Sequence, residues 1–280
     1  MSDHSQGDPQ VLACAGVRIP PQPAVLAQLF ELLAAGDFDI RRVAQVVAAD
    51  AGLAALLFKL AASPIYAKGR RAESLEQVLQ VVGVQQSFNL ARALGLEAAI
   101  GGDRRVLEAF WQRSGDIARI AAQVAADRVA VCNVFPDQAY LAAIFQDCGV
   151  PLLAERFTDY GNLKDHAAGN SPWASMIDED RRYDTDHCVV GYLVARHWKL
   201  PDFVADAIRC HHELAGLGEH RVRSLVAILM IAQEIHCREQ GFHNAEWFGV
   251  ADLVVSELGL DPDGLDEYCE EIRDRCLEGR

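Results

Sequence analysis

The chain has 280 residues, 51% hydrophobic and 24% charged, enough apolar material for one large domain or two fused lobes around a substantial core. Its formal net charge of −14 argues against broad, sequence-independent nucleic-acid binding, which depends on neutralising phosphates with Lys and Arg. No apolar run reaches membrane-spanning length, the best being Leu225–Ile231, and the opening MSDHSQGDPQ lacks the basic and apolar regions of a signal peptide. A cytoplasmic protein with no membrane association is expected. None of the eight cysteines forms a CxxC pair, so zinc-ribbon spacing is absent and reduced thiols are expected. Cys148, Cys188 and Cys210 sit in apolar helical patterns and read as small buried hydrophobes.

Residues 1–15 read as a flexible N-terminal tail, and the prolines of Ile19–Pro23 then set the entry into a first helix. Val25, Leu29 and Leu33 recur at helical spacing. Ile40, Val43 and Val47 repeat the pattern behind an Asp39 cap. Asp50 precedes a leucine-rich helix ending before Pro64, Ser74 precedes one ending at Gly83, and a fifth helix covers 84–99. After Gly101-Gly102-Asp103 the helical pattern resumes at 105–127, 136–147, 150–159, 185–199, 202–213, 221–240, 246–258 and 262–277. The polar stretch 161–182 is expected to be the least regular segment. Alternating strand patterns are missing. The prediction is an all-α, two-lobed helical bundle, with an N-terminal lobe over about 16–101 and a second lobe over about 105–280.

Several motifs fall in a recognisable order. Ile19-Pro-Pro-Gln-Pro23 is an opening proline motif. Asp50-Ala-Gly-Leu53 with Leu57–Ser63 and Tyr66 resembles a "DPxL…LLxLANSxxY" segment, with Ala62 where Asn is usual. Ser74-Leu75 with Val82-Gly83 resembles "SIxxAIxxLG", Trp111–Ser114 resembles "WxHS", and Ala143–Gly149 resembles "GLLHDIG". Asp186-His187, Val190-Gly191, Trp198–Pro201, Ala207-Ile208 and His211-His212 resemble the closing segment of the same pattern. Order and spacing over roughly residues 17–215 are similar to HDOD domains, relatives of the HD and HD-GYP phosphohydrolases. The resemblance implies a bacterial signal-transduction role and a fold of the HD-domain kind, but not by itself an activity. No receiver, EAL or GGDEF-like module is recognisable, so a stand-alone version is expected.

An active HD centre needs imidazoles and carboxylates around its metal ions. By the resemblance, its first His position is Arg113 here, its His-Asp pair is Gln146-Asp147, and its last-helix Asp falls at Gln233. Arg carries a permanent opposing charge and cannot ligate a cation, and Gln offers only a weak amide oxygen. The implied site of Arg113, Gln146, Asp147, His187, His211 and His212 is therefore vestigial, with no catalytic residue. The broken continuation Glu213-Leu214-Ala215-Gly216 also departs from HD-GYP enzymes. Asp147, His187, His211 and His212 are either a residual site for one ion or anionic ligand, or inherited polar packing groups. Packing is the favoured reading, because adjacent His residues on a helix point in different directions. A buried Asp147 needs a positive partner, and Arg113 is expected to supply it.

Trp111, Trp198 and Trp247 read as packing residues, and Trp173 as a contact for a partner. His197, His220, His236 and His243 read as surface residues, and Lys59 and the clusters Arg181–Arg182 and Arg221–Arg223 as solvated helix faces. The expected function is binding of a signalling protein partner or of a small ligand such as a nucleotide or cyclic dinucleotide. No cofactor is expected. The alternative is a metal-dependent phosphohydrolase with a rebuilt site around a single divalent metal ion.

Overall fold

Apolar residues recur at helical spacing along the whole chain, and helices are what they form. A computed structural model describes residues 16–20, 24–34, 39–62, 72–100, 104–160 and 174–278, and no strand occurs among them. The expected N-terminal tail, Trp173 and Gly101–Asp103 lie outside the described residues.

Two compact units result, Pro21–Ala99 grouped with the residues from Arg275 onward, and Ile100–Asp274 grouped with the segment ending at Pro20. The first unit contains α1 (Ala24–Ala34), α2 (Ile40–Ala48), α3 (Ala51–Ala61), α4 (Leu75–Val82) and α5 (Val84–Ala99). The Asp39 carboxylate accepts from Arg41 N at 3.0 Å and Ser74 Oγ from Gln77 N at 3.2 Å, so α2 and α4 start where their capping residues stand. Gly83 ends α4 with a φ of 93°, a conformation that penalises any side chain. Lys59 is exposed, as a solvated face requires.

The larger unit is built on α6 (Arg104–Cys132) and α12 (His220–Glu239), which pack against each other. Around them lie α7 (Pro136–Phe145), α8 (Gly149–Arg156), α9 (Met176–Tyr183), α10 (His187–His197), α11 (Asp202–Arg209), α13 (Trp247–Leu258) and, as far as Asp274, α14 (Leu265–Glu278). Apolar residues surround most of α12, so nearly its whole circumference is buried. Trp198 is fully buried at the end of α10, meets Phe145 edge-on at 5.8 Å, and donates its indole N–H to the Pro20 carbonyl at 3.0 Å. Residues 16–20 thus group with this unit, although the sequence pattern places them in the N-terminal lobe.

Several expectations need correction. Part of the stretch expected to be irregular is the helix α9, capped by Ser175, whose Oγ accepts from Asp178 N at 3.2 Å. The helix expected over 202–213 stops at Arg209, because Cys210 leaves the helical region and the His211 ring donates to Ile208 O at 2.8 Å, taking the carbonyl that the next turn would use. His236, expected at the surface, is 4% exposed on the inner side of α12. Arg221 and Arg223 are not merely solvated: Arg221 stacks over Phe203 at 3.9 Å, and Arg223 pairs with Glu257 at 2.8 Å.

Candidate functional site

The site grows from three short connections in the larger unit. Asp147 stands in the turn between α7 and α8, where Gly149 brings the two backbones together: a Cβ there would lie 2.2 Å from the His187 carbonyl oxygen. That contact, open only to glycine, sets Asp147 beside the first residue of α10. Asp186 caps α10, accepting from Val189 N at 2.8 Å, and so orients His187 at the helix start. The early end of α11 then turns both His211 and His212 toward the same place.

His187, 2% exposed, is held from behind by Glu179 of α9. Glu179 Oε2 accepts from His187 Nδ1 at 2.6 Å and from His187 N at 2.8 Å, while its Oε1 accepts from the Tyr160 hydroxyl. The outward Nδ1 contact leaves His187 Nε2 facing inward, 3.0 Å from His212 Nε2 and 3.9 Å from Asp147 Oδ1. His212 mirrors it, with Nδ1 donating to Glu246 Oε2 at 2.8 Å. His211 Nδ1 donates to Ile208 O, and Cys188 Sγ lies 3.8 Å from the same nitrogen. Its Nε2 faces Asp147 Oδ1 at 3.5 Å and has no hydrogen bond among the described residues. Imidazoles fixed from behind by carboxylates or carbonyls are the arrangement that orients histidines toward a metal ion.

The electrostatics follow from burial and proximity. Burial would raise the Asp147 carboxyl, but the close His211 imidazole and the charges of His211, His187 and Arg113 overcome it and hold the group well below the usual carboxylate range. Burial opposes protonation of His211, yet Cys188 and Asp147 raise it to about 10. His187 is likewise raised, against its burial, by Cys188 and Glu179. Burial would raise the Cys188 thiol, but His211 and His187 draw it down to about 6.

The predicted residues divide into two groups. Asp147, His187, His211 and His212 come together; Arg113 and Gln146 do not join them. No ion pair links Arg113 to Asp147 among the described residues: the partners of this carboxylate are the imidazoles of His211 and His187. Arg113 adds only longer-range attraction and instead reaches α12, where its charge and hydrogen bond oppose the burial that raises the Cys237 thiol. The expected Arg113–Asp147 pair is therefore wrong, because two imidazoles already surround the carboxylate. The expected divergence of His211 and His212 is also wrong. They lie in a turn rather than a helix, and their ring centroids are 4.1 Å apart. Gln146 is fully buried, with neither amide atom bonded among the described residues. Gln233 is half-buried on α12 and takes no part in the cluster's hydrogen bonds.

Cys188, Glu179 and Glu246 are site residues that the motifs do not reveal. One donor atom from each of His187, Cys188, His211 and His212 lies within 4.8 Å of the others. These residues fit one metal ion; Arg113 and Gln146, where a second centre would need imidazoles, do not fit another. Beside the cluster, a cleft of about 530 Å³ is lined in part by His212, Arg181, Arg209, Asp180, Glu213 and Ile177. Among the described residues, no helix is long and apolar enough to cross a membrane.

Comparison with known proteins agrees with this architecture. An uncharacterized protein of Treponema pallidum is 20% identical over 205 residues, a match taking in 72% of this chain but only 39% of that protein. The chain thus spans about two fifths of its relative's length. A crystal structure of a candidate phosphohydrolase from Shewanella amazonensis superposes with a TM-score of 0.70 at 18% identity, covering 96% of both chains. An HDOD domain protein of unknown function from Geobacter sulfurreducens gives 0.62 at 22% identity, covering 93% of this chain and 94% of that one. A candidate signal transduction protein from Marinobacter aquaeolei gives 0.66 at 22% identity, covering 95% of this chain and 61% of that one. At such identities these likenesses speak for the fold alone. The HDOD domain family itself matches residues 19–214, over the same helices that assemble the cluster, and the chain belongs to that family.

Proposed function

We propose that this chain is a signalling protein in which the remnant of an HD centre holds one divalent ion as a structural or sensing element and does not hydrolyse phosphoesters. The observation that carries this reading is the asymmetry of the site. Three imidazoles and Asp147 converge, while Arg113 and Gln146 contribute no ligand. Phosphoester hydrolysis at such a centre needs a metal to polarise the phosphoryl group and to lower the pKa of a bound water. Here the chain's own residues orient imidazoles: Glu179 fixes His187, Glu246 fixes His212, and Asp147 places its negative charge 3.5 Å from His211 Nε2.

Metal analysis of purified protein, with turnover of bis(p-nitrophenyl) phosphate and cyclic dinucleotides, tests the reading. One ion per chain and no turnover are expected, and a chain that binds no ion overturns the reading. Two ions per chain with metal-dependent turnover would restore the phosphohydrolase alternative.

The cleft beside His212 supports a small-ligand role in addition to a protein partner. Its volume of about 530 Å³ falls within the range of small-molecule sites, and Arg181 and Arg209 place guanidinium groups along its wall. A thermal-shift screen with guanine nucleotides and cyclic dinucleotides should reveal a stabilising ligand; no shift with any of them counts against this role.

A further inference from the structure

We infer that Cys188 is a thiolate ligand of the ion held by His187, His211 and His212, and that this sulfur makes the site selective for zinc over manganese or magnesium. The inference rests on the single-ion reading above and adds to it the identity of one donor and the class of metal.

Geometry carries it. In a tetrahedral zinc site, metal–sulfur and metal–nitrogen bonds of about 2.3 and 2.0 Å place sulfur and nitrogen donors roughly 3.5 Å apart. Cys188 Sγ stands 3.8 Å from His211 Nδ1, and the four donor atoms all fall within 4.8 Å of one another. His211 therefore has a donor on each edge of its ring: Asp147 beside Nε2 and Cys188 beside Nδ1. Coordination through Nδ1 gives up the bond to Ile208 O and leaves Nε2–H to donate to Asp147. The result is a carboxylate–imidazole–metal relay of the kind that orients metal-bound histidines. The thiol proton leaves to solvent as the ion enters.

Chemistry agrees with the geometry. Cys188 is fully buried beside the His211 ring, so its sulfur faces the imidazoles and not solvent. Soft thiolate selects zinc over hard cations that prefer carboxylate and water. Imidazoles alone already lean toward zinc, and a thiolate sharpens that preference.

Cobalt(II) loading of the full chain, followed by absorption spectroscopy, tests the idea without reference to turnover. Cobalt-loaded protein should show a thiolate-to-metal charge-transfer band in the near ultraviolet, lost in Cys188→Ser and retained in Cys148→Ser. Zinc affinity should fall at least about tenfold in Cys188→Ser, with manganese affinity little changed. X-ray absorption of the zinc-loaded wild type should report one sulfur scatterer, a readout that needs no variant to fold. Cobalt bound without the band, or zinc without sulfur, overturns the Cys188 assignment and leaves the single-ion reading standing. Absence of metal binding overturns both.

Discussion

His187 and His212 face each other through their Nε2 atoms at 3.0 Å, and the Nδ1 atom of each is tied to a carboxylate, Glu179 in one case and Glu246 in the other. With both Nδ1 atoms acting as donors, two nitrogen lone pairs would confront each other. A proton or a cation resolves that repulsion, so the pair is a receptor for positive charge by construction. The same contacts join α9, α10, the turn after α11 and the start of α13.

Glu179→Ala should be the most damaging single change in the cluster. It strips acceptors from the Tyr160 hydroxyl, the His187 backbone N–H and the His187 ring, all in a fully buried place. Urea unfolding should show a loss of about 3–5 kcal/mol, the range for breaking a buried charged pair. A loss below about 1 kcal/mol would contradict the role given to this carboxylate.

Gly149→Ala should destabilise despite the helix-favouring side chain. The new Cβ would collide with backbone, the His187 carbonyl oxygen, which cannot swing aside as a flexible side chain would. A loss of about 2–3 kcal/mol is expected from overpacking, read as a lowered Tm. Metal binding should weaken in parallel, because Asp147 and His187 lose their spacing.

Acid should act through His236. Burial first, and then the Arg113 charge, lower its pKa in the folded chain to about 4, and its Nδ1 has no hydrogen-bond partner among the described residues. Between about 6.5 and 4 the unfolded chain takes up a proton that the folded chain refuses, so stability falls with pH across that window. The contribution is at most about 3 kcal/mol. As pH drops from 7 to 4.5 the urea midpoint of the wild type should fall more steeply than that of His236→Leu; parallel curves would exclude this cause.

Arg113→His combined with Gln146→His should raise the metal content above that of the wild type. The pair replaces a fixed cation and a weak amide with two imidazoles at the positions that the HDOD resemblance assigns to ligands. Unchanged stoichiometry in a folded double variant would mean that the loss of the second centre lies elsewhere.

Helix periodicity made the architecture legible, and motif order made Asp147, His187, His211 and His212 legible. What failed had physical reasons. Glu179 stands on a short helix within a polar stretch, with no periodic signal linking it to His187. Glu246 meets His212 from 34 residues away, a separation no local pattern records. Cys188 fits a core helix so well that its second identity, beside two imidazoles, is hidden. His236 was recoverable: it follows the buried Ile235 and lies at helical spacing from Ala232 and Leu229 on α12. The turn after Arg209 was missed because a side chain, His211, supplies the donor that stops the helix.

The bond from the Trp198 indole to Pro20 O spans 178 positions of sequence and binds the upstream segment to the larger unit. Excising that unit at the nearest helix boundary, Arg104, would therefore discard part of it while keeping every helix of the cluster. Such a fragment would bury an indole N–H with no acceptor. Its Tm should therefore lie below that of a fragment that keeps residues 16–20.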